Sequence, residues 1–319
     1  LLCAFRSEVR YYPASDPRGM SVTEIDNGLN TWQLMTNHKK MIELQKKLYD
    51  GEALPSEAPV ELAFFGSSAF RATSPAGISV MCDPWRNFPT RKWDWYFKGF
   101  PRIPVDIGVS THAHFDHDAL HRLDAHVLID RLIGTYTFGD VTIRGIADKH
   151  ETDSSSAIYD FKKIILDFDG IDITPPNNPR SWDHCLIVIE TGGLRILDWG
   201  DNRHNPPEEV WDMLGNIDIA LLPVDGSRHV MGFHQVEHII ERLKPKVVVP
   251  HHYYIYDVIQ RQSTLQTADA WVEEKPGAVW LDGPTKTYTP EEVSGLNRAV
   301  HYFGGHVAFD AEAWRNGED

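Results

Sequence analysis

The sequence predicts an α/β fold in which two β-sheets pack together and helices cover their outer faces. Three observations predict it. From Val60 onward, short apolar runs bounded by Gly, Pro and Asp have the length and composition of buried or half-buried strands. After Trp199, such strands alternate with segments of helical periodicity. The strand-rich segments fall into two similar halves, as expected when each half contributes one sheet.

Before the strands, residues 1–57 are predicted to form an N-terminal extension, and residues 58–319 are predicted to form the main domain. Tyr11–Arg18 is rich in Pro and Asp and predicts irregular structure. Asn30–Leu48 spaces its apolar residues at helical intervals and predicts a surface helix. Gly51–Pro59 is rich in Pro and Glu and is typical of a linker. We expect the helix to pack on the domain or on a partner subunit, which makes a homo-oligomer through this arm an expectation to be tested.

The strands of the first half are predicted at Val60–Gly66, Ile78–Cys82, Val105–Ser110, Val127–Asp130 and Val141–Ala147. A Pro- and Asn-rich loop, Pro175–Trp182, then precedes two strands whose junction, Thr191–Gly193, contains the Gly-Gly pair of a hairpin. The elements predicted around and after that junction are strands Cys185–Glu190 and Leu194–Trp199, helix Pro207–Leu214, strand Ile217–Pro223, helix Gln235–Leu243 and strand Val247–Pro250.

Composition limits the classes of partner. A chain of 319 residues with 42% hydrophobic and 24% charged residues can bury a large core, and no apolar run approaches the roughly 18 residues of a membrane helix. The net charge of -15 disfavours nucleic acid and anionic bilayers, so a small-molecule substrate is expected. Cys3, Cys82 and Cys185 are too few and scattered for a disulfide framework. The compartment is left open, with a cytoplasmic location favoured over export with a removed signal.

The chemistry is concentrated directly after a predicted strand, where four metal-competent side chains occur in six residues: His112, His114, Asp116 and His117. Alternate residues of an extended segment point the same way, so His112 and His114 can converge on one ion. Asp116 and His117 face a neighbouring position as the chain turns into a helix expected near Ala119. Imidazole nitrogen and carboxylate oxygen without thiolate suit zinc, iron or manganese, with a position left open for water.

The pattern H-x-H-x-D-H after a strand resembles the metallo-β-lactamase superfamily, and the resemblance extends from about Val60 to Leu281. It implies an αββα sandwich of two mixed β-sheets flanked by helices, and a metal-dependent hydrolase with two divalent ions, zinc being expected and manganese or iron the alternatives. It also implies three later ligands. These are His150 as the third ligand of the first metal, Asp201 as the bridging carboxylate, and His252 as the last histidine.

Each later ligand has a competitor in the sequence. His184 is the alternative third histidine, Asp198 the alternative bridging aspartate, and His251 the alternative last histidine. Asp201 is favoured over Asp198 because it follows a Gly. His252 is favoured over His251 because the family resemblance is to a Pro-x-His-Tyr ending. His234 and His238 lie four apart on a predicted helix and can share an ion, but decoration of an amphipathic helix explains that spacing equally well.

Three segments resemble one branch of the superfamily, the one with bacterial ascorbate-phosphate lactonase and N-acyl-phosphatidylethanolamine phospholipase D. They are Phe64–Ser68, Asp83–Trp85 and Lys244–Pro250. In that branch the Asp-Pro after the second strand supports metal-binding histidines, which implies that Asp83 orients an imidazole. The alternative is that this dipeptide only opens a turn.

Substrate contacts are expected from loops that follow strand ends, with Asp225, His229, His184 and Tyr253 as candidates by position. Three tryptophans, Trp85, Trp93 and Trp95, either wall an apolar pocket or fill the core.

The predicted reaction is hydrolysis of a small ester, lactone, amide or phosphodiester by a metal-activated hydroxide, with Asp116 and His114 in the catalytic centre. Asp116 is expected to orient the nucleophile and to shuttle its proton. One alternative is a mononuclear iron enzyme that uses oxygen, of the persulfide dioxygenase type, which shares the motif. A second is a hydrolytic dehalogenase, and a third is a non-catalytic binding protein, although such relatives usually lose ligands. Flavin-linked di-iron relatives typically carry Glu at the position of His114.

Overall fold

The structure is a computed structural model that describes residues 36–53, 59–87, 94–151, 183–226, 230–261 and 265–317. Its strands are β1 (Val60–Gly66), β2 (Ala69–Thr73), β3 (Ser79–Cys82), β4 (Ile103–Ser110), β5 (Leu123–Asp130), β6 (Gly134–Phe138), β7 (Val141–Asp148), β8 (His184–Thr191), β9 (Leu194–Asp198), β10 (Ile219–Pro223), β11 (Val247–His251), β12 (Val279–Trp280), β13 (Thr285–Tyr288) and β14 (Ala299–Tyr302). Its helices are α1 (Thr36–Tyr49), α2 (Glu208–Leu214), α3 (Phe233–Leu243), α4 (Asp269–Glu273), α5 (Pro290–Ser294) and α6 (Ala311–Asn316). None of these helices has the length and apolar character needed to cross a membrane.

The strands form two mixed sheets. The first has six strands in the order β13-β1-β2-β3-β4-β5, and the second has eight in the order β12-β14-β11-β10-β9-β8-β7-β6. In the first, β3, β4 and β5 run parallel while β1 pairs antiparallel with β2 and β13. In the second, β9, β10, β11 and β14 run parallel while β6 to β9 are antiparallel. The predicted α/β class with two mixed sheets and flanking helices is confirmed.

Aromatic side chains join the inner faces of the two sheets. The ring of Phe70 on β2 meets His251 on β11 edge-on at 6.1 Å between centroids. Phe64 on β1 lies 5.7 Å from the ring of Tyr253, which follows β11. Phe64, Phe70 and Tyr253 belong to one continuous cluster of buried apolar side chains. The core therefore lies between the sheets, and one set of packing contacts fixes how strand ends of the first sheet face those of the second.

Parallel pairing brings the carboxyl ends of several strands to one edge. The last residues of β10 and β11 are paired, Pro223 with His251, and Leu221 of β10 pairs with Asp198 at the end of β9. In the first sheet, Cys82 at the end of β3 pairs with Val109 near the end of β4. Loops that leave these ends lie on the same side of the sandwich, which is where binding sites of α/β proteins form.

The segment after β4 differs from the sequence prediction. No α-helix starts near Ala119; a single 3₁₀ turn, Leu120–Arg122, leads straight into β5. The physical reason is packing, because Leu120 and Leu123 lie against Gly108 of β4, where a glycine leaves room for them. The chain returns to the sheet after one turn, and β5 pairs with β4 from Leu123 onward.

Other predicted elements agree to within a few residues, and the hairpin between β8 and β9 turns through Gly192 and Gly193, both with positive φ. Strands β2 and β6 and the elements from α4 onward were not predicted. Predictions for Tyr11–Arg18 and Pro175–Trp182, for residues 30–35 of the predicted N-terminal helix and for residues 54–58 of the linker lie outside the described residues.

Helix α1 packs on the turn between β6 and β7. Met41 and Leu44 are buried, and Leu44 lies beside Gly139 together with Ile78 of the loop before β3. Gln45 Nε2 donates to the carbonyl of Thr137 at 3.2 Å. The helix therefore packs on the domain. The domain boundary and a homo-oligomer through this arm stay predictions.

Candidate metal centre

Three imidazoles form a first cluster. His112 and His114 follow β4 two residues apart, and His150 follows β7 in the second sheet. One ring nitrogen from each lies within 4.8 Å of the others. His112 Nε2 is 3.0 Å from His114 Nδ1, and Ser110 holds the turn by donating its hydroxyl to the carbonyl of His112 at 2.9 Å. The bend in the chain after β4 thus turns both motif histidines to one side.

A second cluster contains two carboxylates and two imidazoles, with ligand atoms again within 4.8 Å of one another: Asp116, His117, Asp201 and His252. The backbone tightens between the clusters, where His117 N donates to the carbonyl of His114 at 2.9 Å. Asp116 Oδ2 lies 3.3 Å from His252 Nε2 and 3.8 Å from His117 Nε2. The turn therefore sends the second half of the motif to a neighbouring position.

Asp201 lies between the clusters. Its Oδ2 atom is 3.5 Å from His150 Nε2 and 3.9 Å from His112 Nε2 in the first cluster. The same atom is 3.3 Å from His117 Nε2 and 3.5 Å from His252 Nε2 in the second. One carboxylate oxygen therefore faces imidazoles of both clusters, as a bridging ligand must.

The residues fit divalent cations. The ring nitrogens His117 Nε2 and His150 Nε2 and the carboxylate atom Asp201 Oδ1 are buried without a hydrogen-bond partner. Buried polar atoms without partners are uncommon in folded proteins, and a bound cation would provide the missing interaction. Imidazole nitrogen with carboxylate oxygen is a donor set suited to zinc, manganese or iron.

Asp83, which is fully buried, supports both clusters from behind. Its carboxylate accepts from Thr111 N and from Thr111 Oγ1, each at 2.7 Å, and lies 2.7 Å from His117 Nδ1. Thr111 Oγ1 is in turn 2.9 Å from His112 Nδ1. When Asp83 accepts from Thr111 and His117, the hydrogen atoms lie on Nδ1 of His117 and of His112, which leaves Nε2 of each ring for a cation.

The carboxylates separate the two clusters electrostatically. Burial, followed by the neighbouring His150, lowers the pKa of His114 to about 3. Burial also lowers the pKa of His117, but the charges of Asp201, Asp116 and Asp83 outweigh it and raise that pKa well above its ordinary value. The pKa of Asp116 falls below its ordinary value because His117 and His252 outweigh the opposing effect of burial. The second cluster is thus ionised, whereas His114 is neutral.

The competing residues lie behind the clusters. His184 Nε2 accepts from the backbone N–H of Asp201 at 3.0 Å, so this histidine positions the aspartate. Asp198 accepts from Gly200 N at 3.0 Å, and His251 Nδ1 lies 3.1 Å from Ser68 Oγ. The two clusters contain His150, Asp201 and His252 rather than these three. The assignment of ligands stays a prediction that this geometry supports.

Two of the residues expected to contact substrate, Asp225 and Tyr253, are buried and make contacts within the protein. The buried carboxylate of Asp225 accepts from Val230 N at 3.0 Å. Tyr253 is buried, and its hydroxyl donates to the carbonyl of Gly304 at 2.8 Å. These contacts give both residues a structural position. His229 and Trp93 lie outside the described residues, and His234 and His238 are on α3, outside the clusters.

Two contacts at the site were missed by the sequence analysis. Thr111 links Asp83 to His112, and its place at the head of the motif was the only signal. The carbonyl of Glu151 accepts from His150 Nδ1 at 3.0 Å, which turns Nε2 of that ring towards Asp201. A backbone carbonyl leaves no trace in residue identity, so no sequence pattern indicates the second contact.

Comparison with known proteins assigns the chain to a family. The Beta-lactamase superfamily domain matches residues 61–252. The chain is 30% identical to the UPF0173 metal-dependent hydrolase of Ignicoccus hospitalis over 215 residues, which cover 63% of this chain and 85% of that protein. It is 26% identical to the UPF0173 metal-dependent hydrolase of Pyrobaculum calidifontis over 212 residues, covering 63% of this chain and 88% of that protein. The chain therefore belongs to the metallo-β-lactamase superfamily and, within it, to the UPF0173 metal-dependent hydrolases.

A solved structure shares the fold. It is a metallo-β-lactamase superfamily protein from Thermotoga maritima, with a TM-score of 0.53 and 19% sequence identity, and the match covers 76% of this chain and 97% of that one. At this identity the likeness concerns the fold alone.

Proposed function

We propose that the protein hydrolyses a small ester, lactone, amide or phosphodiester with two divalent cations, zinc being the expected metal. The first cation would be held by His112, His114 and His150, and the second by Asp116, His117 and His252, with Asp201 shared. The observation that carries the proposal is the position of Asp201 Oδ2, which lies 3.3 to 3.9 Å from imidazole nitrogens of both clusters. A single carboxylate in that position suits a two-cation site.

Divalent cations in such sites lower the pKa of a bound water towards neutrality and polarise a carbonyl or phosphoryl oxygen. The protein groups supply orientation and proton transfer. We propose that the Asp116 carboxylate, whose Oδ2 atom lies 3.3 Å from His252 Nε2 in the second cluster, orients the attacking water and accepts its proton. His114 is the one member of the first cluster that is only partly buried, so we propose that its ring is the one an arriving substrate meets.

The second cluster argues for two cations over one. Its four candidate ligands are complete and buried, which a mononuclear iron enzyme of the oxygen-using type does not require. Metal analysis separates the two functions. Two zinc ions per chain support hydrolysis, and one iron per chain with oxygen consumption supports the alternative.

The proposed substrate class rests on a resemblance of sequence segments to one branch of the superfamily. Phe64–Ser68 and Asp83–Trp85 resemble the branch of ascorbate-phosphate lactonase and N-acyl-phosphatidylethanolamine phospholipase D. The net charge of -15 disfavours large polyanions. We therefore propose lactones and phosphodiesters as the first substrates to assay, followed by acyl amides and aryl halides.

The test combines metal content with turnover in two variants, H114A and D116A. Each is expected to lose one ion per chain, and D116A to lose at least about 100-fold in kcat because it removes both a ligand and the proton acceptor. H238A is the matched control, because His238 is on α3 outside the clusters. Metal-dependent turnover retained by H114A and D116A would refute the assignment.

A further inference from the structure

A tyrosine hydroxyl is buried beside the second cluster. Tyr96 is almost fully buried, and its ring stacks on Trp85 with centroids 5.1 Å apart and planes at 26°. The Asn87 side chain makes two hydrogen bonds to the backbone of Tyr96. It accepts from Tyr96 N at 2.9 Å and donates to Tyr96 O at 2.8 Å. Stacking and this paired contact fix where the hydroxyl lies, which is 2.9 Å from Ser67 Oγ.

Ser67 connects that hydroxyl to the last candidate ligand. It lies in the turn between β1 and β2, and its carbonyl accepts from the backbone N–H of His252 at 2.8 Å. Ser67 and His252 both have left-handed backbones, with φ of 51° and 59°. Residues with a side chain rarely adopt this conformation, and it persists only where the surroundings hold it. Two left-handed residues joined by one hydrogen bond therefore depend on their neighbours.

We infer that Tyr96 is a positioning residue for the second cluster, acting through Ser67 to keep His252 turned towards Asp116 and Asp201. This inference rests on the proposed two-cation site. The hydroxyl fixes the Ser67 side chain, the Ser67 carbonyl fixes the His252 backbone, and His252 Nε2 is thereby kept 3.3 Å from Asp116 Oδ2 and 3.5 Å from Asp201 Oδ2. Burial, and then the charge of Asp116, raise the pKa of Tyr96 well above its ordinary value, so the hydroxyl keeps a proton to donate.

The first cluster is held by other contacts. Thr111 Oγ1 lies against His112 Nδ1, and the Glu151 carbonyl accepts from His150 Nδ1. Neither contact passes through Tyr96 or Ser67. Removal of the Tyr96 hydroxyl should therefore weaken one cation site and leave the other unchanged, which a general loss of stability would not do.

The experiment measures zinc affinity by competition with chelators of graded strength, in the wild type and in Y96F. D116N identifies which of the two binding steps belongs to the second cluster. We expect Y96F to weaken that step by about 10-fold, the lower end of the range for loss of a direct contact to a metal ligand because Tyr96 acts through Ser67, and to leave the other step within about twofold. Y288F is the matched control. Tyr288 is also a buried tyrosine, its hydroxyl lies 3.0 Å from His301 Nδ1, and it pairs with the opposite end of β1 from Ser67.

A double-variant cycle tests the pathway through Ser67. S67A removes the hydroxyl that contacts Tyr96 but keeps the carbonyl that His252 N–H contacts, so it should weaken the same step, and Y96F/S67A should add little to either change. Equal affinities in Y96F and wild type, or equal weakening of both steps, would overturn the inference about Tyr96. A wild type that binds fewer than two cations would instead overturn the proposed site.

Discussion

Replacement of Asp83 by Asn should weaken both proposed cation sites. The Asp83 carboxylate determines which ring nitrogen carries the hydrogen atom in one histidine of each cluster, His112 in the first and His117 in the second. In the wild type it accepts from Thr111 and lies 2.7 Å from His117 Nδ1, and Thr111 Oγ1 lies 2.9 Å from His112 Nδ1. The Asn side chain can still accept from Thr111 N, but its amide group presents N–H where these partners need an acceptor. Both imidazoles then lose the hydrogen bond that favours a free Nε2.

The magnitude follows from the hydrogen bonds that the substitution removes. A hydrogen bond behind a metal ligand is typically worth about 10- to 100-fold in metal affinity, so D83N should lose about that factor at each site. The metal-free protein should also lose about 3–6 kcal/mol in its free energy of unfolding, because the two contacts to Asp83 Oδ2 are buried hydrogen bonds to a charged group and each contributes about 1.5–3 kcal/mol. Zinc competition gives the first quantity and urea denaturation of the metal-free protein gives the second.

The matched control is D106N. Asp106 is also buried and accepts from Ser79 N at 2.8 Å and Ser79 Oγ at 2.9 Å, but it lies towards the other end of β4 from the motif. D106N should lower stability without changing either zinc affinity. If D83N binds both ions as tightly as D106N does, the reasoning about tautomers is refuted.

Three further predictions concern pH, backbone conformation and the N-terminal helix. Carboxylates raise the pKa of His117 and His252 despite burial, so a cation that binds the second cluster must displace protons from these rings. The zinc affinity of the second cluster, measured by zinc competition, should therefore fall steeply from about pH 8 to about pH 5. The same dependence of zinc affinity on pH at both clusters would contradict this prediction. G200A should lower the free energy of unfolding, measured by urea denaturation, by about 2–4 kcal/mol and should lower zinc occupancy. The reason is that φ of Gly200 is +51° and the new Cβ would lie 2.7 Å from His184 Nε2. An unchanged free energy of unfolding would contradict this prediction. L44A should cost about 2 kcal/mol by the same assay and leave two ions bound, since Leu44 packs beside Gly139 in the turn between β6 and β7 and belongs to neither cluster; a lost ion would show that α1 is part of the site.

Local pattern was sufficient for the first half of the site. The motif at 112–117 follows an apolar strand, and the expectation that alternate residues point the same way predicted the convergence of His112 and His114 without any knowledge of the rest of the fold. The later candidate ligands required more than local pattern. His150, Asp201 and His252 belong to separate strand ends, and only their order in a known family connected them to the motif.

Contacts between distant segments were beyond the sequence. Tyr96 was one aromatic among several, and its importance depends on the turn that carries Ser67 and on stacking against Trp85. The prediction of a helix near Ala119 was wrong because it used local signals, whereas Gly108 on the neighbouring strand allows Leu123 to rejoin the sheet after one turn.

Both clusters take members from both sheets. The first combines His112 and His114, beyond the end of β4, with His150, beyond β7, and the second combines motif residues with those that follow β9 and β11. A cation at either position would tie one layer of the sandwich to the other at their open rim. Chelation should therefore loosen that rim as well as abolish turnover, so that amide hydrogens around 110–117 and 199–202 exchange faster once the ions are withdrawn.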